Sequence, residues 1–157
     1  MNVIKSIIIT PLLILFLISS CSYQKMNSVD QKKFNIKEFE VTGDSRESFV
    51  IKKKIQRFSN KNSENKIKIL IELKKNKSIK EKNIQNKVTK YNVSLSANVK
   101  IIELDTNKEI KRSFAANEIY NVEDSYSNTI NNSKEANNSL IERIVDEILD
   151  QLRIYYS

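Results

Sequence analysis

The side chains that most often carry out catalysis are scarce in this sequence. It has no histidine, one cysteine and one glycine among 157 residues, so histidine-dependent triads, cysteine-rich metal sites and glycine-rich phosphate loops lack their usual parts. The remaining candidates are acids that border turns or lie at exposed helical spacing: Glu103 with Asp105, Glu123 with Asp124, and Asp146 with Glu147 and Asp150. Acids in such places are usually solvated. We expect no enzyme and no cofactor; an enzyme that uses Glu123 or Asp124 is the less favoured alternative.

The single cysteine lies in a pattern with its own chemistry. An apolar run over residues 7–18 is followed by Ser19, Ser20 and Cys21. A twelve-residue helix is about 18 Å long, less than the roughly 30 Å of a bilayer hydrocarbon core, which indicates a signal peptide over residues 1–20 rather than a membrane span. The four residues that end at Cys21 resemble a bacterial lipobox, whose cysteine thiol accepts diacylglycerol before cleavage. We therefore predict lipidation at Cys21; an incidental free thiol behind an ordinary signal is the alternative.

The net charge of the chain and the residue after Cys21 help to predict where in the cell the protein lies. A net charge of +8 and a pI near 9.5 are typical of nucleic-acid binding, but export of the chain argues against that partner. Ser22 rather than Asp follows Cys21, which favours the outer membrane under the enterobacterial sorting rule. We predict a lipid-anchored protein facing the periplasm, with a polar tether over residues 21–33 and one domain over residues 34–157.

The domain is organised around a predicted hairpin over residues 87–122. Its first strand alternates strictly, with apolar residues at odd positions from Tyr91 to Ile101 and polar residues at even ones. Its second strand is apolar at even positions such as Ile110, Phe114 and Tyr120. Between them, Asp and Asn side chains predict a turn over residues 105–109. Each strand therefore has one face suited to a core.

The other elements complete an α+β pattern. The first is a strand over residues 34–41 with a bulge near Glu38, followed by a helix that Asp44 opens and that runs to about Phe58. Next come a strand over residues 66–73, a turn over residues 74–78, and a third strand that starts as early as Ile79 and has a bulge near Thr89. After the hairpin, a loop over residues 123–132 leads to a helix capped by Asn132. The order β-α-β-β-β-α predicts a two-layer sandwich, with two helices packed on a four-stranded, mainly antiparallel sheet.

Together these features resemble the LPS-assembly lipoprotein family, LptE. The resemblance is carried by the lipobox, the strand over residues 88–95, the turn over residues 104–109, the segment over residues 112–122 and the closing amphipathic helix. It implies a protein that plugs the lumen of the large β-barrel LptD, helps the barrel to fold, and binds lipopolysaccharide on its way to the cell surface. A lipoprotein that binds a peptidoglycan synthase or a barrel-assembly complex, without a glycolipid ligand, is the alternative.

The resemblance also points to two sets of site residues. The small polar side chains of the long strand would suit contact with a polar barrel interior, or form the solvent side of the sheet: Asn92, Ser94, Ser96 and Asn98. Basic residues near strand ends would meet lipopolysaccharide phosphates, or form a solvated surface: Lys74, Lys75 and Lys77 at the predicted turn, and Lys100, Lys111 and Arg112 near the hairpin end.

Overall fold

The computed structural model describes residues 33–43 and 45–156, so the predicted signal peptide, tether, lipidation site Cys21 and helix cap Asp44 lie outside the described residues. The elements are, in chain order, β1 (Asn35–Thr42), α1 (Ser45–Gln56), β2 (Lys66–Lys82), β3 (Val88–Glu103), β4 (Glu109–Asn121) and α2 (Tyr126–Tyr155). The predicted order of strands and helices is confirmed.

The four strands form one mixed sheet in the order β1-β2-β3-β4. β1 runs parallel to β2, while β2 with β3 and β3 with β4 are antiparallel. The parallel pair needs a crossover, which α1 provides. Because both helices share one core with a single face of the sheet, the architecture is the predicted two-layer α+β sandwich.

Strict alternation along the strands explains the position of the core. Odd positions of β2 and β3 and even positions of β4 point to the helices, as the sequence pattern predicts. The buried apolar side chains of the sheet are Phe39, Ile67, Ile69, Ile71, Leu73, Val93, Leu95, Ala97, Val99, Ile101, Ala116 and Tyr120. Those of the helices are Ile51, Ile55, Ala136, Leu140, Ile141, Ile144, Val145, Ile148, Leu149 and Leu152. One continuous core therefore lies between the two layers.

Both predicted bulges are present. The pairing of β1 with β2 shifts between Ile36 and Glu38, one residue before the expected position. The pairing of β2 with β3 shifts where Glu81 opposes Lys90 and the next pair skips Thr89. In β1 the extra residue keeps Phe39 and Val41 against the core despite the change of parity in the sequence.

The predicted turn over residues 74–78 is wrong, because β2 continues without a break to Lys82. Residues 74–79 pair in regular register with residues 96–91 of β3. The turn lies instead over residues 83–87, where Asn86 adopts a positive φ of 64° and the side-chain Oδ1 of Asn83 accepts the backbone N–H of Gln85 and of Lys87. Residues 79–82 therefore belong to β2, and the third strand begins at Val88.

The last helix begins six residues before the predicted cap at Asn132. It follows Ser125, and the hydroxyl of Thr129 accepts the backbone N–H of Glu123 at 2.8 Å, which joins the end of β4 to the first helical turn. Asn132 lies inside the helix, where its amide donates to the backbone oxygen of Asn121 at 3.2 Å. The polar run that resembles a loop is thus the exposed start of α2.

The long strands place the start of the domain and the β2–β3 turn at opposite ends of the molecule. The chain enters beside Lys66, since the backbone N–H of Asn35 donates to the oxygen of Asn65, whereas the β2–β3 turn lies at the opposite end. With about 3.3 Å per strand residue, the two ends of β2 are roughly 50 Å apart. β1 pairs with β2 only as far as Glu72, so within residues 33–43 and 45–156 the outer edge of β2 beyond that residue has no strand partner.

Candidate partner-binding surface

The face of the sheet opposite the helices is open. No helix within the described residues packs on it, and it consists of the even positions of β2 and β3 with the odd positions of β4. The four residues predicted for barrel contact all lie here, with Asn98 exposed and Asn92, Ser94 and Ser96 half-buried by their neighbours on the sheet. The part of the chain that the structure describes therefore leaves this face available to a partner.

Small, uncharged side chains occupy the half of the open face nearer the β2–β3 turn. We call it the small-residue patch, and its members are Asn76, Asn92, Ser94, Ser96, Asn98, Ser113, Ala115 and Asn117. Ser94 lies between Asn76 and Asn117, and Ser96 lies beside Ala115. The Ser113 hydroxyl donates to Asn98 Oδ1 at 2.9 Å. Such short side chains let another backbone approach the sheet closely.

The other half of the open face carries a network of charges. Lys68 lies 2.7 Å from Glu38 and 3.5 Å from Glu40, and the hydrogen bond to Glu38 raises the pKa of the Lys68 ammonium above its usual value. Lys100 lies 2.6 Å from Glu109, and this hydrogen bond lowers the pKa of the Glu109 carboxyl. The charges here are largely satisfied by one another.

The three lysines predicted at a turn are separated by the strand that contains them. Lys74 is exposed on the open face opposite Ser96, whereas Lys75 and Lys77 point to the helix side. Lys75 Nζ lies 2.7 Å from Oε1 of Glu47, a carboxylate that is only 4% exposed. Lys77 Nζ lies 3.8 Å from the ring centre of Tyr91 and 5.4 Å from that of Tyr120. Lys75 and Lys77 therefore have structural partners, and Lys74 is the member that faces outward.

The hairpin-end cations are also divided between the faces. Lys100 and Lys111 lie side by side on the open face and share Glu109, at 2.6 and 3.8 Å. Arg112 is opposite Val99 and so belongs to the helix side, where it is exposed at the edge of β4. Lys100 and Lys111 also line an open depression of about 590 Å³ with Leu70, Glu72 and Ser113. An anion could meet two cations there only in competition with Glu109.

The buried ion pair of Lys75 and Glu47 was not foreseen from the sequence. In the sequence, Glu47 follows Asp44 by three residues, and this spacing predicts a capping box with Asp44 rather than a buried position. Its position on the inner side of α1 follows from the spacing of Ile51 and Ile55, which are fully buried on the same helix. That spacing was the available signal for Glu47, but it does not name Lys75 as the partner.

Among residues 33–43 and 45–156, no three histidine, cysteine or acidic side chains come together as a potential metal site. No helix in the described ranges is both long enough and apolar enough to cross a membrane.

The fold is shared with solved bacterial proteins. The uncharacterized lipoprotein B of Nitrosomonas europaea matches over 81% of this chain and 87% of its own, with a TM-score of 0.57 and 16% identity. The minor lipoprotein of Acinetobacter baumannii matches over 78% and 94%, with a TM-score of 0.55 and 14% identity. A protein of Caulobacter crescentus matches over 82% and 94%, with a TM-score of 0.54 and 9% identity.

These comparisons define the class of structure. The chain is a two-layer α+β sandwich with an open polar sheet face, and two of the similar structures are described as lipoproteins. At these identities the likeness concerns the fold alone. The sequence matches no protein-family model and no curated protein.

Proposed function

We propose that the chain is an outer-membrane lipoprotein, anchored through lipid on Cys21, that assembles with an LptD-type β-barrel and assists lipopolysaccharide transport. Two kinds of observation support this proposal. The sequence ends its apolar leader in a lipobox-like pattern, and the fold is that of proteins described as lipoproteins. The role is one of binding, and it requires no catalytic group.

The observation that carries the proposal is the small-residue patch on the open sheet face. A polar surface of short side chains, with Lys74 as the exposed cation beside Ser96, suits contact with the interior of a large barrel, which is polar rather than apolar. Hydrogen-bonding groups such as Ser96 and Asn98 can exchange their water contacts for contacts with a barrel wall at little desolvation cost. The neighbouring charges of Lys68, Glu38 and Glu40 would remain paired at the rim.

Lipopolysaccharide binding is assigned to the exposed cations of the same face. Lys74 and Lys111 are exposed, Lys100 is half-buried and paired with Glu109, and Arg112 lies next to Lys111 at the edge of β4. Cations of this kind attract the phosphates of lipid A and the core saccharide. Lys75 and Lys77 are weaker candidates, because a buried carboxylate and two aromatic rings already occupy their ammonium groups.

The test is co-purification of the tagged full-length protein from outer-membrane extracts. A variant Ser96→Tyr fills the centre of the patch, and aromatic residues are well tolerated in strands, so we expect folding to persist. A matched control, Asn138→Tyr, adds the same ring at an exposed position of α2. We expect a stoichiometric barrel partner with the native chain and the control, and at least a tenfold loss with Ser96→Tyr.

Two results would contradict the proposal. Equal recovery of a barrel with Ser96→Tyr and with the control would exclude the patch as the contact surface. Recovery of a peptidoglycan synthase or a barrel-assembly complex, without an LptD-type barrel or lipopolysaccharide, would favour the alternative partner.

A further inference from the structure

The end of the β2–β3 hairpin carries apolar side chains with no core to join. We call residues 79–90 the distal tip. Ile84 is fully exposed, at 104% of its reference area, and Ile79 is 52% exposed. Both lie at the end of the molecule opposite the entry of the chain, beyond the region that the helices cover. Transfer of such an exposed apolar side chain from water into an apolar environment lowers the free energy.

Other exposed apolar groups lie near the same end. Ile119 is 44% exposed and pairs with Asn92, close to the tip, and Tyr126 is 80% exposed at the start of α2. The backbone N–H of Val122 donates to the oxygen of Thr89 at 2.8 Å, which brings the start of α2 beside the tip. Four of the six large exposed apolar side chains in the described part of the chain thus lie at one end.

The distal tip is also strongly basic. Four lysines and one glutamate give residues 79–90 a net charge of +3. Glu81 pairs with Lys90 at 2.7 Å, and among the described residues Lys80, Lys82 and Lys87 form no ion pair with a carboxylate. Lysine can extend its charge toward a headgroup phosphate while its aliphatic stem lies along apolar surface. The tip therefore combines apolar and cationic groups on one short, exposed turn.

The turn is held in one conformation before any partner arrives. Asn83 Oδ1 accepts the backbone N–H of Gln85 and that of Lys87, both at 3.0 Å. The backbone N–H of Asn86 donates to the oxygen of Asn83 at 2.9 Å, and Lys82 Nζ donates to Asn86 Oδ1 at 3.0 Å. Because the loop is already ordered, binding through it would cost little conformational entropy.

We propose that the distal tip is a second membrane-contact element, which inserts Ile84 into the surface of an anionic lipid bilayer while Lys80, Lys82 and Lys87 meet the headgroup phosphates. A bilayer surface provides acyl chains directly beneath anionic groups, which matches the apolar and cationic side chains of the tip together. The contact is separate from the proposed anchor, since the tip is roughly 50 Å from the entry of the chain. It does not depend on a barrel partner.

The absence of tryptophan from the chain allows a direct test. The variant Ile84→Trp places a single fluorophore at the tip, and Phe49→Trp, at a 67% exposed position on α1, is the matched control. The full-length lipoprotein is reconstituted with phosphatidylcholine vesicles, or with vesicles that also contain phosphatidylglycerol. Brominated acyl chains then report whether each tryptophan enters the bilayer.

We expect blue-shifted emission and quenching of Ile84→Trp in anionic vesicles only, and no quenching of Phe49→Trp in either. Adding Lys80→Gln, Lys82→Gln and Lys87→Gln should shift the insertion equilibrium by about a hundredfold, since each lysine near an anionic surface contributes roughly fivefold. Unquenched Ile84→Trp in anionic vesicles would overturn the proposal, as would quenching that survives the loss of all three lysines. The vesicles contain no barrel, so this outcome is independent of the co-purification experiment.

Discussion

The ion pair between Lys75 and Glu47 gives a prediction that bears directly on the candidate lipopolysaccharide site. We expect Lys75→Met to destabilise the fold, whereas Lys74→Met should leave the free energy of unfolding within about 0.5 kcal/mol of the native value. The two lysines are adjacent on β2, but Lys75 points to the helix side and Lys74 to the open face. Lys75 Nζ is 2.7 Å from the carboxylate of Glu47, a residue that is only 4% exposed, whereas Lys74 forms no ion pair with a carboxylate of the described residues.

The magnitude follows from the charge that would be left behind. Removing one member of a buried ion pair costs about 3–5 kcal/mol, because the other charge stays buried without compensation. The Lys75 side chain is 28% exposed, so water can partly replace it. We therefore expect a loss of about 2–3 kcal/mol for Lys75→Met, equivalent to a shift of roughly 1 M in the urea midpoint.

Urea unfolding followed by circular dichroism measures this difference. The double variant Glu47→Gln with Lys75→Met should recover at least about 1 kcal/mol relative to Lys75→Met, because no buried charge then remains unpaired. A Lys75→Met midpoint equal to that of Lys74→Met would refute the reasoning. If the prediction holds, replacing Lys74, Lys75 and Lys77 together would confuse ligand binding with stability, and Lys74→Ser alone is the informative variant for lipopolysaccharide binding.

Two further predictions concern the backbone conformation at Gly43 and the dependence of stability on pH in the acidic range. Gly43→Ala should cost about 2–4 kcal/mol in chemical unfolding, because φ is 115° and a Cβ would lie 2.3 Å from the backbone oxygen of Leu73; a loss below about 0.5 kcal/mol would contradict this. The hydrogen bond to Lys100 lowers the pKa of the Glu109 carboxyl below its usual value of 4.5, so their pairing stabilises the fold above pH 4.5, and this stabilisation is lost as pH falls through the lower folded pKa. Lys100→Met should therefore flatten the stability curve just below pH 4.5 and raise the pKa of Glu109 in an NMR titration; an unchanged pKa would exclude Lys100 as its cause.

The hairpin of β3 and β4 could be predicted closely because each strand has one solvent-facing face and one buried face. Alternation from Tyr91 to Ile101 determines which residues share a face, and the turn at Asp105 is marked by local side-chain preferences. Asn92 and Ser96 accordingly lie on the face opposite the core, as the alternation predicts. Local pattern is sufficient wherever burial and sequence period agree.

The turn over residues 74–78 was predicted wrongly because the alternation of apolar residues along β2 stops before the strand itself ends. β2 reaches the first turn of α1 at Lys75 and continues past it, so its odd positions change from apolar residues such as Leu73 to Lys75, which pairs with Glu47. Lys77, on the same face, lies over the ring of Tyr91. A run of lysines then resembles a turn, although it contains neither Gly nor Pro. The extent of the helix layer is a property of the tertiary structure, and no local spacing reveals it.

The prediction of the lysines that could bind a ligand was limited in the same way, because it also depends on contacts in the tertiary structure. Whether a lysine is available to a ligand depends on its nearest carboxylate or ring, and Glu47 is 28 positions from Lys75 along the chain. The start of α2 shows a related limit, since Ser125 and Asn132 are both acceptable helix caps by residue type. Only contacts with β4 decide between them.

The free outer edge of β2 has a consequence for the chain before it meets any partner. Past Glu72 this edge has no strand partner among residues 33–43 and 45–156, and it offers its backbone groups to any strand that approaches, including the same edge of a second copy. Lys74, Lys75, Lys77, Lys80 and Lys82 line this stretch. Two such edges would bring their lysines together, and the mutual repulsion opposes growth of a continuous intermolecular sheet. We therefore expect the lysine-rich stretch to protect the protein against edge-to-edge aggregation.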